Sequence, residues 1–334
     1  MPKASTSVSS TDRLGPLRAG LCLPLIAAPM FLVSGPELVL AACRAGIIGA
    51  FPAPNARTLA TLDEWLARIV AEHAAMGPAG AGPWALNLVT HSSYDRLAGE
   101  LELVDRYQPP LVITALGSPA PAVARVHRYG GKVFADVSTL PFARKAAAAG
   151  ADGLVLVCAG AGGHTGALSP FAFVSAVREF FDGAIVLAGS ISNGEAVRAA
   201  ELLGADLAYA GTPFIAAQES LAPPAYREML VRGSADDLVL TRAFTGASAS
   251  YLRESIVAAG LDPDALVDKD RMDLSGAHGP AKAWKNIWSA GQGVGTIHAV
   301  EPAAAIVERY RAGYAAALQH PAFGRPASVA GAGA

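Results

Sequence analysis

The chain has 334 residues, 52% of them hydrophobic and 16% charged, with a formal net charge of -2. That composition excludes a fibrous or disordered chain, offers no basic run for nucleic acid and holds no unbroken apolar stretch that could span a membrane. The cysteines, Cys22, Cys43 and Cys158, are scattered through apolar segments, as expected of reduced, buried thiols rather than a disulfide frame or zinc site. The polar start, MPKASTSVSSTDR, lacks an apolar signal core. Residues 1–19 and 326–334 are therefore expected to be flexible, and the protein cytoplasmic.

Short apolar runs then alternate with longer amphipathic segments. Strands are expected at 24–30 (PLIAAPM), 45–51 (AGIIGAF), 84–89 (WALNLV) and 111–116 (LVITAL). Four more are expected at 132–138 (KVFADVS), 153–158 (GLVLVC), 184–190 (AIVLAGS) and 207–212 (LAYAGT). Helices are expected over Thr58–Met76, Thr139–Ala149, Ser169–Phe181 and Gly194–Leu203, with Gly150 and Gly204 as stops. About eight β-α units imply an α/β chain folded as a (β/α)8 TIM barrel. The competing open, doubly wound sheet usually carries a glycine fingerprint after its first strand. Here that strand ends in APM, and the glycine-rich turns follow the sixth, seventh and eighth strands.

The alternation breaks after Ile215. Residues 221–283 show helical stretches at Tyr226–Val231 and Ser248–Ala259 and no convincing strand. They are expected to form a small, mainly helical cap inserted after the eighth strand, above the barrel's C-terminal mouth. The barrel would then comprise 20–220 and 284–325, closing with a helix over Pro302–Leu318.

In such a barrel the C-terminal strand ends carry the site. AGSISNG (188–194) and AYAGTPF (208–214) both turn on small residues into helices, around Gly189-Ser190 and Gly211-Thr212. Backbone N–H groups at such turns can hold a phosphate without Lys or Arg, although glycines also serve simply to tighten connections. A ring attached to that phosphate would meet Ala28, Pro29, Met30, Asn87 and His164. Asn87 either offers its amide to a polar ring edge or caps a strand end. Asp136 either meets a ligand hydroxyl or caps the helix starting near Thr139.

The stretch GLVLVCAGAGGHTG (153–166) ends a buried strand on a loose turn carrying His164. Its glycines allow close approach of a ligand, and an imidazole suits proton abstraction from carbon. His73, His127 and His320 are expected at the surface, while His91 and His278 are secondary candidates for the mouth. There is no His-x-x-x-His spacing or carboxylate cluster for a metal, and no GxSxG elbow.

The ordered series APM (28–30), LNLV (86–89), GADGLVLVCAGAGGHTG (150–166), LAGSISNG (187–194), GADLAYAGTPFIAAQES (204–220) and SAGQGVG (289–295) resembles the nitronate monooxygenases, formerly 2-nitropropane dioxygenases. That resemblance implies an FMN-dependent TIM barrel that oxidises alkyl nitronates or nitroalkanes with O2 to a carbonyl compound and nitrite. It implies His164 as the base and the phosphate of FMN on Gly189, Ser190, Gly211 and Thr212. It further places Asn87 and the segment around Met30, with Ala28 and Pro29, at the cofactor, with Ser289, Gly291 and Gln292 returning from the cap; Asp136, Ala161, Gly162 and Gly163 are further candidate cofactor contacts.

Two departures stand out. Many members have two glycines where this chain has Gly189-Ser190, and many have a glutamine soon after the AGGH turn where this chain reads LSPFAFV. The same scaffold serves NAD(P)H-dependent reductases of the enoyl-acyl-carrier-protein or quinone type, which remain the alternative, beside a nonenzymatic flavin-binding barrel. A homodimer is the expected assembly, with no nucleic acid or membrane partner.

Overall fold

The computed structural model describes residues 13–77, 80–270 and 286–320. Among them, eight parallel strands close into a barrel: β1 (Leu25–Ala27), β2 (Ile48–Pro52), β3 (Trp84–Val89), β4 (Leu111–Ala115), β5 (Lys132–Val137), β6 (Gly153–Val157), β8 (Ala184–Ala188) and β9 (Leu207–Ala210). Closure comes from β1, which pairs with β2 through Ile26 and Ile48 and with β9 through Ile26 and Tyr209. All eight expected strands are present: β3 keeps its expected bounds, β2 starts three residues later and ends one later, and the others are trimmed by up to three residues at an end.

The strand period of two explains the filling. Ile26, Ile48, Ala85, Leu111, Ile113, Phe134, Val155, Val186 and Leu207 point inward and form a packed interior. The alternate residues face the surrounding helices, α1 (Pro36–Arg44), α2 (Leu59–Ala75), α3 (Leu97–Tyr107), α4 (Ala120–His127), α5 (Leu140–Ala148), α6 (Pro170–Arg178) and α7 (Gly194–Leu203). Local chemistry starts and stops these helices. Thr58, Thr139 and Asn193 each accept a backbone N–H in the first turn of α2, α5 and α7. Gly204 ends α7 at φ 103°, a left-handed conformation that a Cβ would oppose. No described helix is long and apolar enough to cross a membrane.

Three expectations need correction. Residues 13–19 are not loose: Leu14 and Leu17 are buried in the barrel interior, and a 3-10 turn spans Gly15–Arg18. They close the barrel's lower end, which the strands alone leave open to water. Cys22 is exposed, while Cys43 and Cys158 are buried and all three are free. Burial pushes the Cys43 and Cys158 thiols up to about 12, so neither is a nucleophile at neutral pH.

The third correction concerns the cap. After a short α8 (Thr212–Ile215) and α9 (Pro224–Arg232) come two strands, β10 (Leu238–Thr241) and β11 (Ala249–Leu252), paired antiparallel. The expected helix over Ser248–Ala259 splits into β11 and α10 (Arg253–Ala258). All four β11 residues are buried, so the strand shows no polar alternation to betray it. The last helix, α11 (Ala303–Leu318), packs on α7, where Gly194 lets the backbones touch.

Beneath the barrel, Asp206 is buried and bonded to Arg178 (Oδ2 to Nη2, 2.5 Å), Arg13 (3.3 Å) and the Ile185 N–H (2.9 Å). Removing one partner strands the others' charge in a largely apolar setting. Asp206→Ala is expected to cost about 3 kcal/mol of stability, read as a lower urea midpoint at unchanged slope. An unchanged midpoint would show that this network is dispensable.

Candidate active site

The C-terminal strand ends and the cap enclose a cavity of about 1510 Å³. Pockets for one drug-sized molecule run to roughly 1,000 Å³, so this space suits a large cofactor together with a substrate. Of the residues singled out from the sequence, Ala28, Pro29, Met30, Asn87, Asp136, Ala161, Gly162, Gly163, His164, Gly189, Ser190, Gly211, Thr212, Ser289 and Gly291 all line it. Gln292 does not line it: its N–H donates to the Gly160 carbonyl (3.0 Å), holding the loop from outside. His91 also lies outside the lining, turned onto Ser93 (2.7 Å). His278 falls outside the described residues.

Each wall has a local cause. The loop after β1 is fixed by buried Asn55, which accepts from the Leu32 N–H (2.7 Å) and donates to the carbonyls of Met30 (2.9 Å) and Ser34 (2.7 Å). Asn87 follows Ala85 in the inward row of β3 and spends one amide N–H on the Ile113 carbonyl (3.1 Å). The turn after β8 carries Gly189 at φ 121° and Ser190 at φ 56°. A serine in this left-handed region holds a shape that glycine adopts freely, so the departure from two glycines keeps the turn.

Asp136 is not a helix cap; Thr139 caps α5 instead. Its side chain turns into the barrel, where Oδ1 is buried with no partner among the described residues. Burial pushes the carboxyl up to about 7. Tyr209, inward on β9, also buries an unpartnered hydroxyl, and Ser289 buries a third unpartnered oxygen. Tyr209 escaped sequence reading, although its spacing of two from the inward Leu207 marked its face.

The histidine turn is more ordered than its glycines suggest. Gly163–His164 form a two-residue strand, β7, paired antiparallel with β11 through His164 with Ala249 and Gly163 with Ser250. The imidazole Nε2 lies 3.3 Å from the Thr245 hydroxyl, and Tyr251 interacts with that same threonine. Burial lowers the His164 pKa below its ordinary 6.5, so the ring is neutral at pH 7 and able to accept a proton. The turn also interlocks with the segment returning from the cap. Gly291 donates its N–H to Thr212 (2.9 Å), and Tyr226 donates its hydroxyl to the Ser289 carbonyl (2.5 Å).

Comparison with known proteins fits this architecture. The sequence profile described as nitronate monooxygenase matches residues 18–309. The nitronate monooxygenase of Paraburkholderia phytofirmans is 29% identical over 285 residues, covering 73% of this chain and 77% of that one. A Mycobacterium tuberculosis protein provisionally named a monooxygenase is 32% identical over 213 residues, covering 59% of this chain and 57% of its own length. A nitroalkane oxidase from Streptomyces ansochromogenes superposes with a TM-score of 0.74 at 26% identity, covering 93% of this chain and 99% of that one. FabK from Thermotoga maritima, at 23% identity and a TM-score of 0.73 over 92% and 96% of the two chains, shares the fold. With a profile match running from β1 through the return segment and into α11, the chain belongs to the nitronate monooxygenase family.

Proposed function

We propose that this chain is an FMN-dependent oxidoreductase that oxidises alkyl nitronates and nitroalkanes with O2 to a carbonyl compound and nitrite, with His164 as the base. The observation that carries the reading is a neutral, half-buried imidazole facing a cavity whose rim holds two small-residue turns.

The residues suit FMN. Gly189, Ser190, Gly211 and Thr212 supply the turns for a phosphate, as anion sites at such turns do. Ala28, Pro29 and Met30 offer an apolar wall for a flat ring, and the orphaned oxygens of Asp136, Tyr209 and Ser289 await polar edges. Ala161, Gly162 and Gly163 keep one wall thin enough for close approach. When bound, FMN supplies the electron-accepting chemistry.

The chain's own work lies in proton handling and enclosure. A nitroalkane's α-proton is acidified by the nitro group, and the neutral imidazole of His164 is the group placed to take it. Thr245 steadies the ring, and the pairing of β7 with β11 fixes the distance between cap and turn. Arg242 and Phe244 of the cap line the same cavity and limit access of water.

The test is anaerobic mixing of the purified yellow protein with a nitronate, and separately with NADH and NADPH, while following flavin absorbance. Fast bleaching by the nitronate alone, with nitrite released when oxygen is admitted, is the expected result. Fast bleaching only by a nicotinamide would make the protein a reductase on this scaffold.

A further inference from the structure

Asp136 and Tyr209 stand at the mouth ends of the inward rows of β5 and β9, above Phe134 and Leu207. Each turns a buried polar atom toward the cavity with no partner among the described residues. Such orphans are costly unless a ligand satisfies them. Their chemistry is restrictive. A phenol can donate or accept, whereas a carboxyl donates only while it holds its proton. Burial disfavours the ionised carboxylate of Asp136, and burial together with the nearby Asp136 charge disfavours ionisation of Tyr209.

We propose that Asp136 and Tyr209 form a pair of neutral hydrogen-bond donors for an acceptor edge of the flavin, a ring carbonyl or ring nitrogen, so that retention of the cofactor depends on the proton of Asp136. The inference rests on the reading that a flavin occupies this cavity.

The sign follows from which form binds. The carboxyl's proton is lost around pH 7, so affinity is full below that value and falls as pH rises through it. The other titratable and charged groups lining the cavity are Tyr94, Lys145, His164, Tyr209, Tyr226 and Arg242. Burial holds the three tyrosines above their ordinary range, so they stay neutral from pH 6.5 to 8.5, and it favours the neutral form of His164. The phosphate of FMN loses its second proton near 6 and changes little over the same span.

The experiment measures the dissociation constant of FMN for the flavin-stripped, full-length chain by fluorescence quenching at pH 6.5 and 8.5. Binding is expected to be at least about tenfold weaker at the higher pH. Asp136→Asn, a permanent neutral donor of the same shape, should bind alike at both pH values, near the wild-type value at pH 6.5. Tyr209→Phe should weaken binding at both and leave the pH dependence in place. Equal wild-type affinity at the two pH values, or a persisting dependence in Asp136→Asn, would overturn the proposal while leaving the flavin reading intact. Failure of FMN to bind at either pH would overturn both.

Discussion

Asn in place of His164 is expected to slow turnover of neutral nitroalkanes by roughly a hundred- to ten-thousand-fold, the range associated with a positioned general base. Flavin content should stay at the wild-type level, because His164 is held by β11 and Thr245 and an asparagine can keep the hydrogen bond to that threonine. Pre-formed nitronate, whose proton is already gone, should be oxidised far less impaired. The comparison of the two substrate forms is therefore the measurement that matters. Equal loss on both would assign His164 to binding or orientation instead. In the wild type, burial lowers the His164 pKa below that of a free imidazole, so its base form persists further into acid. The activity on neutral substrate that depends on this base should be present at neutral pH and fade in acid as the ring takes up its proton.

The second large effect is expected from Gly162→Val. A Cβ at Gly162 would lie 2.6 Å from the Gly291 nitrogen and 2.8 Å from the Ala290 carbonyl carbon, and both are backbone atoms that cannot swing aside. Either the histidine turn or the returning SAGQ segment must be displaced. That breaks the bonds from Gly291 to Thr212 and from Gln292 to Gly160, two ties that hold the cavity wall. The expected product is a folded but colourless protein, destabilised by about 2 kcal/mol as overpacked sites commonly are. Circular dichroism and the flavin absorbance of the purified protein read the two parts separately. A yellow variant with an unshifted melting temperature would show that the two segments need not touch.

Both effects depend on contacts between segments far apart in the chain, and this sets the limit of what was legible. The barrel was readable because its signals are local. Eight buried apolar runs, each followed by an amphipathic segment, report their period in any short window, and Thr58, Thr139 and Asn193 announce helix starts within three residues. The phosphate-type turns and the histidine were readable for the same reason, as each is a contiguous run of small residues at a strand end.

The cap was not legible in the same way. β11 is buried on both faces and only four residues long, and its partner β7 has two residues, so neither shows a period. The neutrality of His164 and the lonely carboxyl of Asp136 were equally hidden, because burial is a property of everything packed around a group. Residues 13–19 looked like part of a polar lead, yet two leucines among them complete the barrel floor. By itself, then, the sequence determined the barrel, the order of its turns and the residue types that line the mouth, since these follow from hydrophobic period and turn chemistry. Only the tertiary structure decided that the cap pairs with the histidine turn, that Asp136 faces inward beside Tyr209, and which protons these groups hold. Strand pairing and desolvation arise between segments that meet only when the barrel closes.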